Sequence, residues 1–165
     1  MYVNLFLQNL CDELKVANDL NVRIFKVQKR FWNNETKIIN YHIEESTNAI
    51  SSQNSLIFRH IKRTGGNLIE GVVGLCYNNK QFTVDYNALN AHMYTLTVEQ
   101  KLTVGRVTFC CATPILRKNK IRYIVSLDSR TIKVKLNKTM TKARVDSAIE
   151  KNLEKISTTF DEFIL

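Results

Sequence analysis

Residues 102–138 read LTVGRVTFCCATPILRKNKIRYIVSLDSRTIKVKLNK, and this stretch decides the fold because its apolar residues recur at every second position. Ile121, Tyr123, Val125 and Leu127 recur at every second position, and so do Ile132, Val134 and Leu136. A period of two places successive side chains on opposite faces of a β-strand. A two-residue turn at Asp128–Ser129 would pair the two runs and gather their apolar side chains on one face. The sequence therefore predicts an antiparallel hairpin here.

The same stretch accounts for most of the net positive charge of the chain. It holds nine Lys or Arg residues and a single acid, Asp128, in a protein whose formal net charge is +9 at pH 7. Like charges directly opposed on a sheet repel each other, so a face that collects them favours an anionic partner. A solvated face kept soluble by its Lys and Arg residues is the alternative interpretation. The candidate residues for binding nucleic acid or an acidic protein are Arg106, Arg117, Lys118, Lys120, Arg122, Lys133 and Lys135.

A second basic patch lies in a hairpin that we predict from residues 22–31 and 37–44, with its loop at 33–35. Aromatic side chains placed among cations can stack nucleic-acid bases, and an exposed tryptophan is equally a common anchor in protein interfaces. The sequence leaves both interpretations open. The candidate residues of this secondary patch are Arg23, Lys26, Lys29, Arg30 and Trp32.

Two amphipathic helices are predicted at the ends of the chain. Residues 3–18 and residues 145–164 carry apolar side chains at helical spacing, with polar residues between them. Such a stripe covers one side of a sheet. Both helices are therefore expected to pack on the core.

The middle of the chain predicts further strands. Turn signals at Gly65–Gly66 and Asn78–Asn79 indicate a three-stranded meander over residues 56–86, and another strand is predicted at 94–98. The expected fold is a single α+β domain over 1–165. Its mostly antiparallel sheet, curved or folded as a sandwich, would have about 7–8 strands, with an N-terminal and a C-terminal amphipathic helix.

The four cysteines, Cys11, Cys76, Cys110 and Cys111, show no CxxC spacing. Neighbouring Cys110 and Cys111 would point to opposite faces of a strand, which is a poor arrangement for one metal ion. We therefore expect structural thiols, with no metal and no cofactor. The N-terminus lacks the pattern of a signal peptide, and no window approaches 18 apolar residues. Synthesis in a cytoplasm, with a virion as a further location and no membrane partner, is the expectation.

One arrangement of charged residues indicates chemistry. Asp85 is followed after thirteen residues by Glu99, Gln100 and Lys101, and Glu13 lies in the first predicted helix. This spacing resembles the D…(D/E)xK pattern of the restriction-endonuclease-like nucleases. The resemblance implies two carboxylates that hold Mg²⁺ and a lysine that orients the attacking water. The glycine-rich phosphate-binding motifs and the GxSxG motif do not occur.

These observations lead to three functional hypotheses. The first is a non-enzymatic structural subunit of a larger assembly, because at the level of architecture the chain is similar to small virion connector and tail-terminator subunits of viral or phage particles. Its basic sheet face would meet an acidic partner or nucleic acid, and its partners would be further subunits in a homo- or hetero-oligomer. The second hypothesis is a stand-alone nucleic-acid-binding protein. The third is the Mg²⁺-dependent nuclease.

Overall fold

The computed structural model describes residues 8–13, 20–30, 32–41, 56–88, 92–105, 107–130 and 141–163. Within this part of the chain, seven strands form one antiparallel sheet, and helices cover both of its faces. The strands are β1 (Asn21–Arg30), β2 (Glu35–Asn40), β3 (Ile57–Ile61), β4 (Leu68–Ile69), β5 (Thr83–Asp85), β6 (Phe109–Arg117) and β7 (Lys120–Ser129). The helices are α1 (8–13), α2 (Gly71–Asn79), α3 (Val98–Val104) and α4 (Lys142–Phe163). The predicted α+β class with a curved antiparallel sheet and terminal helices is confirmed.

The strand order is β4-β3-β2-β1-β7-β6-β5, so β1 and β7 form the centre of the sheet. In their register Ile24 lies opposite Val125, and Phe25 lies opposite Ile124. The first pair belongs to the cluster under α1 and α4, and the second belongs to the cluster that contains α2. Because both faces of the central pair are buried, its register is fixed from two sides.

The C-terminal helix α4 covers one face of the sheet with the apolar stripe that the sequence predicts. Its buried side chains are spaced by three or four residues, as a helix packed along one side requires. They are Val145, Ile149, Leu153, Ile156 and Phe160. Leu10 and Cys11 of α1 join the same cluster. The amphipathic character of both terminal helices is therefore confirmed within the described residues.

The opposite face is covered by α2, where the sequence predicts the middle strand of a meander. That prediction is wrong because residues 71–76 are all buried, and a fully buried apolar run has no periodicity that separates a strand from a helix. Asn78 and Asn79 are the last residues of α2, and Lys80 ends the helix in a left-handed conformation with φ 58°. The turn near Gly65 is correct, since β3 and β4 pair across it.

The helix α3 begins at Val98, the last residue of the strand predicted at 94–98, and that prediction is wrong. Its N-cap is Thr97, whose hydroxyl accepts from the backbone N–H of Gln100, while the Gln100 side chain accepts from the backbone N–H of Thr97. This reciprocal capping box starts a helix even after an alternating apolar pattern. Thr95 makes an isolated bridge to Glu70 instead of joining a strand.

The turn predicted at Asp128–Ser129 is wrong, and the hairpin that the structure describes lies on the other side of β7. β6 and β7 pair across Lys118 and Asn119, which have φ of 50° and 60° as a tight β-hairpin turn requires. Asp128 and Ser129 are instead the last residues of β7 and are buried. The predicted partner strand at 132–136 lies outside the described residues. None of the described helices has the length and apolar character to span a bilayer.

Gly71 is the tightest backbone position of the α2 face. It has φ of 64°, and a Cβ built there would lie 2.6 Å from the Phe58 ring. Gly71→Ala should lower the free energy of unfolding by about 3 kcal/mol, through backbone strain and overpacking. Urea unfolding measures the loss. Gly65→Ala is the control, because nothing lies within 4 Å of its added Cβ. Equal stabilities of the two variants would contradict the close contact with Phe58.

Candidate functional site

Three turns meet at one end of the sheet. The β1–β2 turn at 32–34 lies beside the β3–β4 connection, where the backbone N–H of Lys62 donates to the carbonyl of Asn34 at 3.2 Å. Lys26 of β1 lies opposite Tyr123 of β7. Because the two strands are antiparallel, the residues of β1 after Lys26 lie beside the first residues of β7. The β6–β7 turn at Lys118 therefore lies at this same end.

Cations crowd this end of the sheet, which we call the basic end. They come from the C-terminal half of β1, from the β3–β4 connection and from both sides of the β6–β7 turn. Its residues are Lys26, Lys29, Arg30, Lys62, Arg63, Arg117, Lys118, Lys120 and Arg122. All are exposed except Arg117, which is half-buried. Glu35 lies among them, directly opposite Arg30.

A β-bulge shapes the β7 side of the basic end. Ile115 pairs with Tyr123 and Leu116 pairs with Ile121, so Arg122 is an extra residue on β7. A bulge turns the neighbouring side chains away from strict alternation. Accordingly, Ile121 is buried in the α2-side cluster, and Arg122 is exposed to solvent.

The basic end joins most of two residue sets that the sequence analysis kept apart. Lys26, Lys29 and Arg30 of the secondary patch come together with Arg117, Lys118, Lys120 and Arg122 of the main set, while Trp32 stands at the tip of the adjoining turn. Three residues of the main set lie outside the described residues, so their positions are not given: Arg106, Lys133 and Lys135. Sequence analysis missed Lys62 and Arg63. Their position directly before the Gly65–Gly66 turn was the signal that could have identified them.

Arg23 lies away from the basic end, near the opposite end of β1. It forms an ion pair with Asp128, which lies at the far end of β7. Burial raises the pKa of the Asp128 carboxyl, and the nearby guanidinium groups of Arg23 and Arg130 oppose that effect. Arg23 is thus paired with a buried carboxylate and does not belong to the basic end.

Two residues of the nuclease-like stretch hold structural hydrogen bonds, Asp85 and Gln100, and Gln100 occupies the variable position of the pattern. Gln100 Nε2 donates to the buried carboxylate of Glu70 at 2.7 Å and to the carbonyl of Ile57 at 2.7 Å. Asp85 accepts from the Tyr94 hydroxyl at 3.0 Å and from the backbone N–H of Asn87 at 2.8 Å. In the described segments no three His, Cys, Asp or Glu residues form a group that could hold a metal ion. The geometry therefore gives the nuclease hypothesis no support.

Three thiols lie where β6 and α2 pack together: Cys76 of α2 and Cys111 are buried, and Cys110 is half-buried. Cys111 faces the α4 side and Cys110 faces the α2 side, as the alternation of β6 predicts. Burial raises the pKa of Cys76 and of Cys110 to about 12 and raises that of Cys111 well above its ordinary value. The Tyr94 hydroxyl lies 3.8 Å from the Cys110 sulfur. A thiol that stays protonated at neutral pH is a weak nucleophile.

An open groove of about 580 Å³ runs between β6 and α4, next to the basic end. Phe82, Pro114, Ile115 and Leu116 give it apolar walls. Across from them, α4 contributes two carboxylates one turn apart. The polar residues that line the groove are Gln81, Thr113, Glu150, Glu154, Ser157 and Thr158.

No protein-family model matches the chain, and a comparison with curated proteins gives no match. Among solved structures, the chain is similar to the GAF domain of an Acinetobacter phosphoenolpyruvate-protein phosphotransferase, with 15% identity, a TM-score of 0.48, and 97% of this chain and 80% of that chain covered. A type II free methionine-R-sulfoxide reductase from Thermoplasma acidophilum has 12% identity and a TM-score of 0.41, with 93% and 90% covered.

A third similar structure is the GAF domain of a two-component sensor histidine kinase from Bacillus halodurans, with 13% identity, a TM-score of 0.40, and 93% of this chain and 95% of that chain covered. None of these three is a component of a virus particle. The prediction of a connector- or tail-terminator-like virion subunit is therefore wrong. The three include domains of signalling proteins and an enzyme, so the comparison does not separate a binding domain from an enzyme. At these values it carries no functional residue across to this chain.

The raised thiol pKa values predict slow chemistry of the native cysteines. At pH 8 a disulfide reagent should modify Cys76 and Cys110 at least about 100-fold more slowly in the folded protein than in urea, because only the thiolate attacks. The rate in the folded protein should rise as the pH approaches 10, and absorbance of the released thiol follows it. The variant Cys110→Ser assigns one of the slow phases. Modification of Cys110 at the unfolded rate would contradict its burial.

Proposed function

We propose that the protein binds nucleic acid along the basic end, with its Lys and Arg side chains on the phosphates. The observation that carries this proposal is the meeting of two separate cationic sequences at one end of the sheet through the pairing of β1 with β7. Cations this close repel one another, and a phosphate backbone relieves that repulsion when it releases its own counterions.

The arrangement of the cations favours an extended polyanion over a small anion. They are contributed by β3, β1, β7, β6 and their turns, which extend across five neighbouring strands when β2 is included. With a strand spacing of about 4.8 Å, this row is about 20 Å wide. A single phosphate group would reach only a part of it. A chain of phosphates would meet cations along the full width.

Charge removal at two positions tests the proposal. The double variant Lys29→Gln/Lys120→Gln should bind a single-stranded oligonucleotide about tenfold more weakly than the wild type, since each lysine lost removes one phosphate contact. Fluorescence anisotropy of a labelled oligonucleotide measures both affinities. The control is Lys101→Gln/Lys151→Gln, which lowers the net charge equally with residues of α3 and α4. Equal losses in both double variants would show a general charge effect and would refute a located site.

Salt dependence gives a second measure of the same contacts. If about four phosphates are neutralised, raising NaCl from about 50 mM to about 200 mM should weaken binding to single strands roughly 50-fold. The slope of log K against log salt should become shallower by about 1.4 in the Lys29→Gln/Lys120→Gln variant. An unchanged slope in that variant would place the phosphates elsewhere.

The groove beside β6 favours a second candidate function, the binding of a small organic cation. Its apolar walls fit a hydrocarbon body, and Glu150 and Glu154 line the side formed by α4. Charge-assisted hydrogen bonds from an ammonium group to such carboxylates are stronger than neutral ones. The geometry thus supports a ligand with an apolar body and one positive end.

Calorimetric titration with 2-phenylethylamine tests this second candidate. Glu150→Gln/Glu154→Gln should weaken binding about tenfold, because the ammonium group loses its charged acceptors. The control is Glu35→Gln, which removes a carboxylate from the basic end. Binding that is equal in the two variants would refute the groove site. Oligonucleotide binding should stay unchanged in the groove variant, so the two candidate functions are separable.

A further inference from the structure

Trp32 is the most exposed large apolar residue described, at 97% of its full accessibility, and it is the only tryptophan in the chain. A side chain with this much apolar surface normally lies in a core or an interface. Here it stands at the tip of the β1–β2 turn, next to Lys29 and Arg30 of the basic end. Both faces of the indole ring are open to a planar ligand.

The turn that carries Trp32 is held in place by its neighbours. Asn33 donates from Nδ2 to the Glu35 carboxylate at 3.1 Å and accepts at Oδ1 from the Glu35 backbone N–H at 3.3 Å. The carbonyl of Asn34 accepts from the backbone N–H of Lys62 at 3.2 Å. These hydrogen bonds order the turn on the side of Trp32 that leads into β2, which lowers the entropy cost of ordering it for a ligand.

The surroundings of the ring decide which planar ligand fits. The backbone of Lys62 is hydrogen-bonded to Asn34 in the same turn, and Lys29 and Arg30 shortly precede Trp32 in the sequence, so a planar ligand on the ring would have cationic residues in its neighbourhood. A nucleobase between two phosphates fits these surroundings. Base stacking on aromatic side chains, combined with a cationic groove, is how proteins hold single strands without sequence preference. In a duplex the base faces are already stacked on each other.

We propose that the basic end is a site for single-stranded nucleic acid and that one base stacks on the indole of Trp32. This inference rests on the proposed function and specifies its substrate. The phosphates of the strand follow the row of cations from the β1–β2 turn toward the β6–β7 turn, and the stacked base fixes one end of the strand. Duplexes and polyanions without bases bind through the cations alone.

Titration of the native protein with three probes tests the inference. The probes are a twelve-residue oligothymidylate, a duplex of the same length, and heparin, which has no bases. Oligothymidylate should quench the emission of Trp32, and heparin should change it little. Trp32→Ala should weaken oligothymidylate binding roughly 10-fold or more, with heparin and duplex affinities within about twofold of the wild type. Trp32→Phe should recover a large part of the loss because it keeps an aromatic face.

The control variant is Val98→Ala, which truncates another exposed apolar side chain, on α3. It should leave all three affinities unchanged. If oligothymidylate binds without quenching and Trp32→Ala binds it normally, stacking is refuted and the proposed function stands. If neither oligothymidylate nor heparin binds, both proposals fail. If Trp32→Ala instead lowers the molecular mass in solution and leaves binding unchanged, Trp32 is a protein contact and stacking is refuted.

Discussion

The antiparallel pairing of β1 with β7 is the constraint on which the rest of the structure depends. Each strand of this pair is packed from both sides, by α4 on one face and by α2 on the other. A slip of one residue would exchange Ile24 with Phe25 between two differently shaped cores, so the packing permits one register. That register also brings the cationic end of β1 beside the cationic start of β7. The same packing that stabilises the fold therefore forces the charges together.

The distribution of charge inside the protein sharpens this effect. Both carboxylates that are buried in the described residues are met by arginines, Glu70 by Arg59 and Asp128 by Arg23. A buried charge of this kind is costly to leave without a partner. These acids are thus committed to the interior, where they hold the β3–β4 side and the far end of β7 in place. They cannot neutralise the lysines and arginines at the surface of the basic end.

The parts of the fold that the sequence predicts well are those with a clear periodicity. The stripe of α4 identified a helix because one face is buried and the other is solvated, and the alternation in β7 identified a strand. In α2 both faces are buried, so the apolar run from Val72 to Cys76 carried no period at all. For α3, the reciprocal hydrogen bonds of Thr97 and Gln100 decided against the strand that the alternation suggested.

Most residues of the candidate site could be predicted from the sequence, but the fact that they come together in the fold could not. The cations of β1 and of the β6–β7 turn were recognisable from their density, yet nothing in either segment specifies the other as its neighbour. Their meeting depends on β7 entering the sheet beside β1, a contact between residues about 100 positions apart. The turn predicted at Asp128–Ser129 is wrong, although that pair is favourable turn chemistry, because both residues are buried at the end of β7, where Asp128 meets Arg23.

The short length of β5 has a consequence for the behaviour of the protein in a crowded solution. β5 pairs with Cys110–Ala112 only, so the outer edge of β6 continues past it toward Arg117. An open edge of this kind is a template on which another chain can add a strand. Pro114 lies in this stretch, and because its ring nitrogen carries no hydrogen it cannot donate a hydrogen bond to an added strand. One proline thus removes a donor that an added strand could use along this part of β6.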